Sequence, residues 1–282
     1  MATIKYYLLL GCFAFAMAVA MPRAAAGDDS PAVVVAQDSF KALMEGQIDE
    51  FVAYLHAADV NSFAKATIEV VELAEKSDKP NVTTMFSSVG SFQELKQMNS
   101  NQVVAAFLKT ATKDLRDAKD LLKEVKLNVL GEIADGKDRT IVVSRMVFAP
   151  RVTVVEKHNG TWKLRMDADQ QEQLATIKRS IINSEQEVLE DLLRREIQPV
   201  EVIGVIPRED ESLVVCRSAA SAAKGAPKKV MAVSIREKDK ENEFLAAEKR
   251  PKLEAALKER FTTSWNRQKE LLQLQLDLIK DK

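Results

Sequence analysis

One phrase occurs twice in this chain, and it limits the folds open to it. "NVLGEIADGKDRTIVVSR" runs from Asn128 to Arg145, and "EVIGVIPREDESLVVCR" runs from Glu201 to Arg217. Each copy places a glycine between apolar residues, then a charged loop, then a β-branched return ending in arginine. Val129, Gly131 and Ile133 fall opposite Val202, Gly204 and Ile206. Val142, Val143 and Arg145 fall opposite Val214, Val215 and Arg217. A glycine inside a strand weakens it and marks a bulge or sharp bend. The phrase therefore predicts two hairpins, each with a bent first strand and a buried return strand. Convergence of β-meanders on similar words, an internal duplication, and one curved sheet using both strand sets all fit the echo.

The segments around the phrase set its context. Phe40, Leu43 and Met44 recur at helical spacing, with Asp38 or Ser39 as cap and Gly46 as stop. Ile48, Phe51, Val52 and Leu55 resume the pattern, and Asp59 to Phe63 reads as a turn. Ala64, Ile68, Val71 and Ala74 form a further helix, broken by "EKSDKPNVTT". Asn99 or Ser100 caps a long helix running to about Leu122. From residue 124 to 166 the period becomes that of a four-stranded antiparallel meander, with turns at Asp135-Gly136 and Asn159-Gly160. Asp167 or Asp169 caps a helix bearing Leu174, Ile177 and Ile181, and "SEQEVLEDLLRRE" is another. After the second copy of the phrase come the connector "SAASAAKGAPKK", a strand at "KVMAVSIREKD" and a short strand at "ENEFLAA". A long helix begins near Pro251 and carries Leu253, Leu257, Phe261, Trp265, Leu272, Leu276 and Ile279. Its end, "LQLQLDLI", alternates with the period of a strand.

The N-terminus points to export. Tyr6 to Ala20 is apolar apart from Gly11 and Cys12, and it is followed by Ala-x-Ala sites ending at Ala20 and Ala26. This is the pattern of a secretory signal peptide, shorter than the roughly 20 residues of a comfortable membrane span. Cleavage after Ala26 is preferred, because acidic sequence begins at Gly27; cleavage after Ala20 is the alternative. "LLGC" resembles a lipobox, which would anchor the chain through Cys12, but the apolar run continues past it. The expected product is periplasmic or secreted, with no integral span after processing. Its only cysteine is Cys216, so it forms no internal disulfide. The 41 basic and 42 acidic residues nearly cancel. They intermix along helices as in "KDLRDAKDLLKEVK", which argues against a nucleic-acid partner.

The helix pair "FKALMEGQIDEFVAYLHAADV", a later helix, and "VLGEI…DRTIVVSR…VTVVEKHNGTWKL" together resemble the nuclear transport factor 2-like (cystatin-like) α+β cone. The resemblance covers residues 36 to 167 and includes the closing strand Gly160-Thr161-Trp162-Lys163-Leu164. The region from 199 to 247 is similar to the meander alone. The resemblance implies helices on a curved, cone-like antiparallel sheet; with the segments read above, the expected fold is α+β, the cone being followed by a second antiparallel meander and a long C-terminal helix. In this reading residues 1–26 are the signal peptide and 27–35 a linker. Residues 36–182 form the cone, and 183–282 the second meander with its helices. It implies either a binding module or an isomerase, dehydratase or cyclase with a buried Asp, His or Tyr.

Few residues here fit such chemistry. Tyr54, His56 and Asp59 lie close in sequence, and a His-Asp pair suits proton transfer; equally, His56 suits a helix end facing terminal carbonyls. Arg145 and Arg217 are candidate anion ligands, and Trp162 is a candidate platform, although strand arginines are more often paired and tryptophans more often core. His158 sits at a hairpin tip. Two histidines and one mature thiol give no metal-ligand spacing. No phosphate loop or nucleophile elbow is present, so no cofactor is expected. The resulting expectation is an exported non-enzymatic protein binding a small ligand or a protein through a concave sheet face. The alternatives are the small-molecule enzyme and an assembly protein forming a homodimer through its C-terminal helix.

Overall fold

The computed structural model describes residues 30–77, 89–112, 127–145, 150–166, 168–208, 211–218, 229–236 and 250–280. The stretches expected as a signal peptide with Cys12, as a helix running on beyond Thr112 and as a strand at "ENEFLAA" lie outside them, as do Asp167 and the connector after Ser218. So does most of "EKSDKPNVTT". The fold is α+β and divides into two compact units, Met1–Ile181 and Ile182–Lys282.

In the first unit, α1 (Pro31–Met44) starts earlier than the sequence predicts, inside the stretch expected to be linker. Ser30 is its cap and accepts the Val33 N–H, and Pro31 at the first helical position needs no N–H partner. Asp38 and Ser39 lie within the helix. Gly46, at φ 75°, ends it as expected. The Gly46 N–H donates to the Leu43 carbonyl and the Gln47 N–H to that of Ala42, the double bond pattern of a left-handed helix stop. Next come α2 (Ile48–Tyr54) and α3 (Ala57–Glu75). The expected turn at Asp59–Phe63 is thus helical, and the chain turns instead at Leu55-His56. Then follow α4 (Phe92–Gln97) and α5 (Ser100–Ala111); the latter is capped reciprocally by Asn99 and Gln102.

The sheet of this unit is antiparallel, in the order β1 (Asn128–Ala134), β2 (Arg139–Arg145), β3 (Pro150–His158) and β4 (Thr161–Leu164). Asn159 at φ 50° and Gly160 at φ 81° make the tight β3–β4 turn. The register slips by one residue between Val129 and Gly131, so β1 carries a bulge at Leu130. Helices cover one face of the sheet. Val33 and Ala36 of α1, Val52 of α2, and Phe63 and Val70 of α3 share one core with Val142, Val155 and Leu164. The rings of Phe63 and Phe107 meet edge to face at 5.1 Å. Leu174, Ile177 and Ile181 of α6 (Ala168–Ile182) join the same core. Asp169 lies inside α6, not at its cap.

In the second unit, α7 (Glu185–Leu193) is capped reciprocally by Ser184 and Glu187. The sheet order is β5 (Glu201–Pro207), β6 (Glu211–Ser218) and β7 (Lys229–Arg236). Here the register slips between Val202 and Gly204, so each copy of the phrase bulges beside its glycine. α8 (Arg250–Lys280) follows and stays helical through the alternating leucines. Its Leu253 and Leu257 pack with Val202, Val214, Cys216 and Ile235; its Leu272 and Leu276 pack with Leu189 of α7. Among the described residues no helix is long and apolar enough to cross a membrane.

Candidate functional site

Tyr54, His56 and Asp59 lie along the α2–α3 junction, where the helical layer meets the last strand. Leu55 and Leu164 form a parallel bridge, and the His56 N–H donates to the Leu164 carbonyl at 2.8 Å. Lys163 Nζ reaches the Ala53 carbonyl at 2.7 Å. The junction therefore pairs the Leu164 end of the free edge of β4, where the backbone would otherwise be unpaired.

Asp59 is the most buried charged group here, at 4% exposure. Its Oδ2 accepts from Arg165 Nε at 2.7 Å and from the Met166 N–H at 2.9 Å, and its Oδ1 accepts from Arg165 Nη2 at 2.9 Å. Both oxygens are thus engaged in a two-pronged guanidinium pair, the strong form of such contacts. Arg165 Nη1 also donates to Glu156 at 2.6 Å. Glu156 lies 3.5 Å from Arg139, which lies 3.2 Å from Asp135. Five charges alternate in sign from the β1–β2 turn to the first turn of α3. The bonds to Asp59 push the Arg165 guanidinium further above its already high range, against the effect of burial. Burial tends to raise the Glu156 carboxyl, but the hydrogen bond and charge of Arg165, with Arg139 adding to them, hold it below the usual carboxylate range.

His56 is buried and caps α3: its Nδ1 accepts the Ala58 N–H at 3.2 Å. The polarity is opposite to the expected contact with helix-terminal carbonyls. The ring belongs to the start of α3, where orphan N–H groups need acceptors. His158, exposed at the hairpin as expected, sets its ring edge-on to His56 with centroids 4.6 Å apart. Tyr54 is half-buried, and burial, then Asp38 and Glu50, push its phenol up. Trp162 of β4 packs partly buried against the core of its unit. Arg145 ends β2 opposite Pro150, six residues and about 20 Å along the strand from Arg139. It is not part of this cluster. Arg217, in the second unit, lies across from Glu201 and 3.5 Å from its carboxylate.

The sequence reading missed Arg165 and Glu156, the residues that hold Asp59. One signal was available: Arg139 and Glu156 lie on the two strands expected to pair as neighbours, and in the observed register they fall directly opposite, a favourable cross-strand pair. Among the described residues no group of three or more His, Cys, Asp or Glu is arranged to hold a metal ion. Chemically, the cluster can orient a helix against a sheet. To act as a base, Asp59 would have to release bonds it already makes. The chain matches no protein-family model, no curated protein and no solved structure, so its own geometry carries the reading.

Proposed function

We infer that this is an exported, non-enzymatic protein that works by binding a protein partner. The observation that carries this reading is the Asp59 carboxylate, whose two oxygens accept from Arg165 and the Met166 N–H. The isomerase, dehydratase or cyclase alternative needs a proton-transfer group free to meet a substrate. Its best acid is engaged, and the Nδ1 of its histidine caps a helix. The small-ligand version needs room on the inner sheet face. There Val142, Val155 and Leu164 are at most 5% exposed and pack against the unit's own helices, which favours a protein partner. Helices on one face of a bulged four-stranded meander support a relation of the first unit to the nuclear transport factor 2-like cone. The bulges at matching registers in β1 and β5 support an internal duplication of the hairpin.

Native mass spectrometry of the protein taken from its own source tests the reading. The expected species begins at Gly27, carries no small molecule, and appears in complexes with protein. A stoichiometric small molecule that survives desalting would replace this reading with the ligand-binding one. A lipid mass on Cys12 would make the protein membrane-anchored. The unprocessed N-terminus would overturn export.

A further inference from the structure

The last turns of α8 carry two rows of leucine. Leu272 and Leu276 are buried against α7, with Trp265 and Ile279 beside them. Leu271, Leu274 and Leu278 are 63%, 61% and 66% exposed. With 3.6 residues per turn, these three fall within about 60° of one another and about 140° from the buried row. Their spacing of three and then four residues is that of a seam between two paired helices. Arg267 lies one turn earlier on the same line. It is exposed and bonds to no described residue.

We propose that this row is a self-association surface on which a second copy of the chain lays the same stretch of α8, antiparallel to the first. Charge selects the direction. A parallel pair sets Arg267 against its own counterpart on the seam. An antiparallel pair with its twofold axis between Leu271 and Leu274 sets Leu271 opposite Leu274 of the second copy. It also sets Arg267 opposite Leu278. The arginine stem covers that leucine, and its guanidinium reaches Asp277 of the second copy. The twofold axis repeats the arrangement at the other end. Asp277 Oδ1 already accepts from Gln273 at 2.8 Å, which orients the carboxylate and leaves its other oxygen for the arginine. Glu270, beside the seam, adds a second carboxylate near the same guanidinium.

The acidic flank of Glu270 and Asp277 disfavours an anionic lipid surface, which selects helices with basic flanks. Four layers of contact fall short of the roughly 800 Å² per partner of a standard interface, so the pairing is reversible. This inference stands on the second unit alone and holds whether or not the proposed partner-binding role does.

Sedimentation of the mature full-length chain over about a hundredfold range of concentration tests it. The wild-type average mass is expected to climb from one chain toward two. Leu274→Glu, with an unchanged circular dichroism spectrum, stays at one chain throughout. Arg267→Glu and Asp277→Arg each weaken association by about tenfold, and the two together restore most of it, because the exchanged charges meet again across the axis. Wild-type mass constant at one chain overturns the proposal. So does association that ignores Leu274→Glu, or a double charge exchange that rescues nothing. Flotation with phosphatidylglycerol vesicles is the remaining arm: a wild type that is monomeric in buffer yet floats, with Leu274→Glu not floating, assigns the row to a membrane surface and removes the second copy.

Discussion

The two hairpins share their pairing pattern and differ in what surrounds them. Val129 meets Ser144 and Gly131 meets Val143 in the first; Val202 meets Cys216 and Gly204 meets Val215 in the second. Each bulge leaves one extra residue, Leu130 or Ile203, beside its glycine. The third strands keep step, with Val142 opposite Thr153 and Val214 opposite Val233. The surroundings then diverge. The first hairpin gains β4 and a helical layer, locked to it by Asp59 and Arg165. The second gains α8, whose Glu254 accepts the Val202 N–H at 2.9 Å just before the bulge. Pairing and bulges follow from local residue order. The parts that complete each unit come from distant sequence, and their charges carry the differences.

Each unit holds one tryptophan, Trp162 or Trp265, so each can be followed by fluorescence in a background where the other tryptophan is replaced by Phe. The largest expected effect comes from the lock. Asp59→Asn leaves a partly buried guanidinium without its main partner and is expected to cost about 3 kcal/mol in urea unfolding read at Trp162. Arg165→Met alone costs a similar amount, and the double variant costs less than the sum of the two; additive losses would mean the pair is not coupled. Next come the paired core positions. Val142→Ala and Val214→Ala, each at 0% exposure, are expected to cost about 2 kcal/mol apiece, each read at the tryptophan of its own unit. A large inequality would show that the matching registers hide unequal packing.

Smaller effects sharpen the contrast. Gly160→Ala, forced to φ 81° at the β3–β4 turn, is expected to cost about 1 kcal/mol. Cys216, with its thiol pushed up to about 12 by burial, is expected to resist a thiol reagent until the second unit opens. Labelling at the rate of an exposed thiol would contradict its position in the core. The smallest effect is at Glu156. Its depressed carboxyl pKa adds stability above the unfolded value of about 4.3, and that stability is lost as pH falls through the folded value. Acid titration read at Trp162 should therefore be flatter below pH ~4 in Glu156→Gln; an unchanged curve would mean that the carboxylate adds nothing to acid stability.

Local signals were legible. Gly131 and Gly204 marked the bulges, Asn159-Gly160 the tight turn, Gly46 a helix stop and Asn99 a cap. Each involves residues within a few positions of one another. The stretch "ADVNSF" was misleading because Asp59, Asn61 and Ser62 are turn formers in isolation. In the fold, Asp59 sits in the first turn of α3, where the helix dipole favours a carboxylate, and Arg165 holds it from 106 residues away. That partner cannot be found by spacing. Nor can the role of His56, since the same ring serves either helix end and only the chain path decides which. The α1 start was missed for another reason: "SPAVVV" has the cap and the proline of a helix N-terminus, but its β-branched run weakens the helical signal.

The tail of α8 has a consequence for how this protein fails. Leu272, Leu274, Leu276 and Leu278 alternate with Gln273, Gln275 and Asp277. Wound as a helix, the alternation splits the leucines between a buried side and an exposed one. Drawn out as a strand, it gathers all four on one face, with glutamines on the other to stack as ladders. The segment has two self-consistent conformations, and contact with α7 selects the helical one. Heating that frays the last turns of α8 from α7 therefore releases a ready template for cross-β growth, so irreversible aggregation is expected to start from the C-terminal end of that helix, while Leu253 and Leu257 still hold its first turns on the second sheet.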